Sequence, residues 1–182
     1  MRYNRFLISS LGVLALAVGA PAAASAASAT VTGTVSGTTL SLTTAAAPSF
    51  SANLDLGDST PTYTAALSLQ DTRGTGVGWN ETVTSTQYTT GTQTLATNAS
   101  SLTGVTSSCA SGTCTNPTNS ITYPVAVPAA PTAPTAVKFF NAAANTGMGK
   151  FTTTPTIGVF VPQSSFAGTY TSTLTLAVVT GP

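Results

Sequence analysis

Residues able to do acid–base, nucleophilic or metal chemistry are few in this 182-residue chain, which contains no histidine. That removes the commonest general base, the usual zinc ligand and every Ser-His or Cys-His nucleophile pair. The carboxylates are Asp55, Asp58, Asp71 and Glu81. Asp55 and Asp58 stand three apart beside Gly57, a spacing that hints at a calcium loop. Calcium takes about six or more oxygen ligands, so a turn solubilised by two acids is the stronger reading. A glycosidase needs two carboxyls placed across a cleft, and nothing beyond the number of acids supports one. The chain is expected to be no enzyme, to carry no cofactor and to hold no metal.

Cys109 and Cys114 bracket Ala110-Ser111-Gly112-Thr113. The spacing is not the CxxC of redox and zinc sites, and in an exported protein it predicts a structural disulfide closing a small loop. Such a loop gains roughly 2 kcal/mol in the chain-entropy account. Trp79 is the one tryptophan and follows the Gly-rich turn of residues 73–78. It opens a strand with Glu81 and Val83 on its own face. Two readings stand: an aromatic platform for a sugar ring, or a core residue between two sheets, the commoner fate of a single tryptophan in a small β-domain. Asp71 and Arg73, two apart, are placed to form an ion pair bracing the turn before Trp79. Asn80-Glu81-Thr82 and Asn98-Ala99-Ser100 match the glycosylation sequon, but such triplets arise by chance in a Ser/Thr-rich chain.

The elements that must position these residues are strands. Charged residues make up 5% of the chain, against about 25% in ordinary domains, and threonine takes their place. Threonine is β-branched, favours strands and offers water a hydroxyl. Alternation with period two recurs at Phe50, Ala52, Leu54 and Leu56, and again at Tyr63, Ala65, Leu67 and Leu69. Further sets are residues 121–127, demoted to an edge strand by Pro124, and Ile157, Val159 and Val161. The clearest strand puts Tyr170, Ser172, Leu174, Leu176 and Val178 on one face and Thr171, Thr173 and Thr175 on the other. Residues 31–35 and 38–42 flank Ser36-Gly37 and predict a hairpin. Residues 128–134 read as an extended surface loop, and 141–145 as at most one helical turn. These signals predict an all-β fold, a single antiparallel β-sandwich of Greek-key or Ig-like type.

Residues 1–26 read as a signal peptide. Arg2 and Arg5 precede an apolar run over residues 6–20, and Ala24-Ser25-Ala26 supplies the cleavage pattern. The run is shorter than the ~20 residues of a bilayer span, and no second long apolar run follows. Residues 27–182 then form one domain, carrying Arg73, Lys138 and Lys150 against the four acids, a net charge of −1. So few cations exclude nucleic acid as a partner, since phosphate contacts need several.

Asp71-Thr72-Arg73-Gly74-Thr75-Gly76-Val77-Gly78-Trp79 resembles the first motif region of the WxL domain, in which a D-x-R-G turn and a G-W pair lead into the W-x-L tripeptide. The stretch from Val161-Pro162 through Ala167-Gly168-Thr169-Tyr170 to Thr175 is similar to that family's C-terminal strand. The name-giving tripeptides are degenerate: Trp79-Asn80-Glu81 has Glu for Leu, and Leu176-Ala177-Val178 stands where the second belongs. The resemblance implies a secreted surface protein held non-covalently to the peptidoglycan, or another polymer, of a Gram-positive cell wall. The ligand-binding candidates are then Trp79, Asp71 and Arg73, with Tyr170 as a lesser one. The alternative is a structural or assembly protein of the cell surface, joined to other surface proteins through strand edges.

Overall fold

A computed structural model describes residues 30–44 and 47–182. The expected signal peptide lies outside them. Among the described residues ten strands form two sheets: β1 Leu40–Thr44, β2 Thr62–Thr64, β3 Leu67–Asp71, β4 Trp79–Thr86, β5 Ser100–Thr115, β6 Val125–Ala126, β7 Ala129–Ala130, β8 Val137–Ala142, β9 Met148–Val159 and β10 Leu174–Thr180. The first sheet runs β1-β3-β9-β5-β6, with β2 also on β9. The second runs β10-β4, with β7 and β8 on the far side of β4. The expected all-β sandwich is present. Its pairing is antiparallel except between β4 and β7, which is parallel.

The two inner faces make one core. Leu67, Leu69, Leu102, Phe151, Ile157 and Val159 come from the first sheet. Trp79, Val83, Phe139 and Phe140 come from the second. Alternation along β3 and β9 buries every second residue, the period-two consequence of a pleat with one covered face. β4 is buried along nearly its whole length because it is central and flanked on both edges. Among the described residues no helix is long and apolar enough to cross a membrane.

Several local expectations are corrected. Residues 31–35 are not in a strand, so the expected hairpin is absent, and β1 pairs with β3 instead. The β3 edge offers Leu42 a partner in Leu69 inside a sheet, which a two-stranded ribbon alone does not. The alternating set at 50–56 makes no strand. Asn53 caps a single 3-10 turn, Leu54–Leu56, by accepting from the Asp55 N–H at 3.0 Å, and Leu56 is 82% exposed. The run Tyr63 to Leu69 divides into β2 and β3, both paired with β9.

Farther along, residues 121–127 shrink to the edge strand β6, and the loop at 128–134 contains β7. The alanines at 141–145 end β8 and enter a turn in which the Thr146 N–H reaches the Ala143 carbonyl and Asn145 takes a positive φ of 63°. β5 and β8 carry no alternation signal. β5 is a Ser/Gly/Thr run whose place is set by its long ladder with β9. β8 has Phe139 and Phe140 both buried, since residues 119–123 cover it with bonds from Tyr123 Oη to the Phe139 carbonyl and from the Asn141 N–H to Asn119 Oδ1.

Candidate functional site

Three of the four sequence candidates meet at one end of the β4–β10 ladder. Asp71 closes β3, and Arg73, two residues on, folds back over it. Arg73 Nε and Nη2 donate to the two Asp71 carboxylate oxygens, both at 2.9 Å, a bidentate pair. The Arg73 backbone N–H adds a third bond to Asp71 Oδ1 at 3.2 Å. The remaining donors cross to the second sheet: Nη2 to the Gly78 carbonyl at 2.8 Å and Nη1 to Thr180 Oγ1 at 2.9 Å. Burial pushes the Asp71 carboxyl up, but the Arg73 hydrogen bonds and charge outweigh it and hold the carboxyl below its ordinary value. The same hydrogen bond raises Arg73, against burial and with the carboxylate's charge.

Trp79 is fully buried, its ring tilted against Phe140 with centroids 5.7 Å apart. Its indole N–H donates to the Gly147 carbonyl at 2.9 Å. Gly147 has φ 69°, and a Cβ there would lie 2.6 Å from the indole nitrogen, so the turn that receives Trp79 requires glycine. Trp79 thus occupies the position of the core reading, with no face turned to solvent. Glu81, where the WxL resemblance expects leucine, is also fully buried. Thr153 Oγ1 donates to its Oε1 at 2.7 Å across the two sheets, and Oε2 has no partner. Burial raises the Glu81 carboxyl to about 7, with the Thr153 bond pulling the other way.

Tyr170 is not part of this cluster. It lies beyond the opposite end of the ladder, past the Leu174–Ser85 pair. There the surface opens into a groove of about 1310 Å³. It is lined by Tyr63, Leu95, Leu174 and Leu176 together with residues 47–55 and 165–172. Phe50 stacks on Tyr63 at 6.1 Å and meets Tyr88 edge-on at 5.5 Å. The Tyr63 and Tyr88 hydroxyls are 3.3 Å apart, and burial drives the Tyr63 phenol well above its usual range. Tyr170 Oη donates to the Phe166 carbonyl at 3.0 Å, and Phe166 is 64% exposed. Of these groove rings, sequence reasoning names Tyr170 as a binding candidate and none of Phe50, Tyr63, Tyr88 and Phe166. The signal available was Phe166 and Tyr170 four apart in a Ser/Gly/Thr segment, too little apolar context for a core strand.

The other chemistry-bearing residues stay apart. Asp58 Oδ1 accepts the Gln163 N–H at 2.8 Å and ties down a loop. Among the described residues no three His, Cys, Asp or Glu side chains gather into a metal site. Cys109 and Cys114 are joined as a disulfide, Cα atoms 5.9 Å apart, at the exposed tip of β5. Asn80 of the first sequon is buried, its side chain donating to the Gly181 carbonyl.

Compared with protein-family models, residues 24–182 match the WxL domain, described as surface cell wall-binding. No curated protein and no solved structure gives a match.

Proposed function

The chain belongs to the WxL domain family of surface cell wall-binding proteins, and from that premise we propose a secreted protein that holds peptidoglycan non-covalently and catalyses nothing on it. One observation carries the reading: the match over residues 24–182 spans all the described structure, so wall binding belongs to the sandwich itself. The absence of catalysis is supported by where the acids sit. Asp71 is locked by Arg73, Glu81 is sealed between the sheets, and Asp55 alone lines the groove, whereas glycan hydrolysis needs two carboxyls flanking one bond. Of the four proposed binding residues, we read Tyr170 as the one that touches the ligand, since it lines the large groove. Asp71, Arg73 and Trp79 act as positioning residues, fixing the ends of β3, β4 and β10.

The test is co-sedimentation of the secreted chain with isolated Gram-positive sacculi at low and high salt. Depletion that persists at high salt is expected, because a chain with 5% charged residues has little for salt to screen. A protein left wholly in the supernatant at both salts contradicts the reading.

A second reading, surface assembly through strand edges, is favoured by β5. β6 covers only Ser101 and Leu102 of that edge, while β9 pairs along the other as far as Thr115. No charged residue blunts the uncovered stretch, the usual guard on an exposed edge. Concentration-dependent oligomers in light scattering, abolished by Ser107→Lys, are the result this reading requires.

A further inference from the structure

We infer that the groove beside Tyr170 is the wall-contacting site and that its ligand is an uncharged glycan chain rather than a peptide or a polyanion; the inference rests on the wall-binding reading above. Size is the first argument. At about 1310 Å³ the groove exceeds the ~300–1,000 Å³ that enclose a single small ligand, so it has room for successive units of a chain.

Ring chemistry is the second. Phe50, Tyr63 and Tyr88 form a mutually braced aromatic cluster. Phe166 is 64% exposed on a loop pinned by the Tyr170 hydroxyl. Phe166 lines the same groove as the Phe50, Tyr63 and Tyr88 cluster, and an apolar patch of several rings is the kind of surface that a ligand covers. The C–H face of a pyranose ring is apolar and its edge is hydroxylated. It therefore matches a wall of aromatic faces bordered by polar side chains such as Ser49, Ser165 and Thr169.

Charge is the third argument, and it discriminates. The lining contains no lysine or arginine, and Asp55 is its sole ionisable carboxylate. A phosphate-bearing wall polymer finds no cation to neutralise it there. The free carboxylates of a peptide stem find no guanidinium fork, because Arg73 is committed to Asp71 at the far end of the ladder. A neutral glycan asks for neither.

The experiment is calorimetric titration of the secreted chain with an N-acetylglucosamine hexamer, with polyphosphate and with a synthetic stem pentapeptide. Sacculus co-sedimentation runs alongside. The hexamer is expected to bind and the other two are not. Phe166→Ala and Tyr170→Phe separate the ring from the hydroxyl. The first is expected to weaken hexamer binding at least about tenfold, equivalent to ~1.4 kcal/mol, and the second less, with unchanged circular dichroism in both. If sacculi bind but the hexamer does not, or if Phe166→Ala binds the hexamer as the parent does, this inference is overturned and the wall-binding reading stands. If the hexamer binds and sacculi do not, the wall reading falls and the groove's ligand class survives. Polyphosphate or stem peptide binding in place of the hexamer overturns the ligand class.

Discussion

The two ends of the β4–β10 ladder are built from opposite materials. At the Trp79–Thr180 end, four of the five Arg73 side-chain N–H donors go to Asp71, Gly78 and Thr180, and the indole is fully buried. At the Ser85–Leu174 end, the sheets give way to a groove with aromatic walls and an exposed Phe166. The difference teaches that the residues with the most obvious chemistry are spent on holding the sandwich shut. On the proposed reading, the surface a ligand meets is the ring-lined groove, whose chemistry is generic. Asp55, Asp58, Lys138 and Lys150 are exposed, whereas the Asp71–Arg73 pair is the one bidentate ion pair among the described residues and is tied by further hydrogen bonds to Gly78 and Thr180.

Perturbing the two ends separately should yield different phenotypes. The largest effect is expected at Trp79. Trp79→Ala leaves a cavity and an unpaired Gly147 carbonyl, and should cost about 3–5 kcal/mol in denaturant unfolding. Whatever fraction remains folded should still bind sacculi. Next is Asp71→Asn, which strands Arg73 half-buried and should cost about 3 kcal/mol at neutral pH. The folded Asp71 pKa is depressed, so its contribution is present above the unfolded value and lost as pH falls through the folded one. The gap between parent and variant should therefore narrow in urea melts as pH falls below the unfolded carboxyl's range.

Glu81 runs the other way. Its folded pKa, about 7, lies above the model-peptide value of 4.5. Neither state is charged well below that lower value. As pH rises from there to about 7 the unfolded chain loses its proton first, and stability falls by roughly 3 kcal/mol. Glu81→Gln should remove this slope, stabilising the protein by up to about 3 kcal/mol at pH 8 and hardly at all at pH 4. Loss of the slope from the pH dependence of Tm checks it. Smaller still is Cys109–Cys114, which closes a short loop at an exposed tip. Reducing it should cost about 2 kcal/mol and leave sacculus binding untouched. The smallest stability effect belongs to Phe166→Ala, within about 0.5 kcal/mol for an exposed side chain, although its effect on binding is the largest.

Legibility in the sequence followed the same division. The all-β sandwich, the Asp71–Arg73 pair, the disulfide and the strand at Trp79 were readable because each rests on local spacing or on period-two burial. The last strand was readable from Leu174 onward for the same reason, with Leu174, Leu176 and Val178 on the more buried face and Thr175 exposed. Residues 170–173, expected in the same strand, lie outside β10 and make only an isolated bridge at Thr171. β5 was not, because Ser-Ser-Cys-Ala-Ser-Gly has no alternation and is held by pairing with β9. The set at 50–56 alternates, yet no sheet edge receives it, and Asn53 turns the chain into a 3-10 turn instead. The groove was least legible of all. Its rings come from Phe50, Tyr63, Tyr88, Phe166 and Tyr170, residues brought together by topology and by no motif.

The most direct test of the account puts parent, Phe166→Ala and Trp79→Phe side by side in sacculus co-sedimentation at high salt, with stability measured on the same samples. The account predicts that Phe166→Ala keeps its stability and loses binding at least about tenfold, ~1.4 kcal/mol, while Trp79→Phe loses stability and its folded fraction binds like the parent. Full binding by Phe166→Ala, with binding lost in stably folded Trp79→Phe, would contradict it and move the site to the closed end of the ladder.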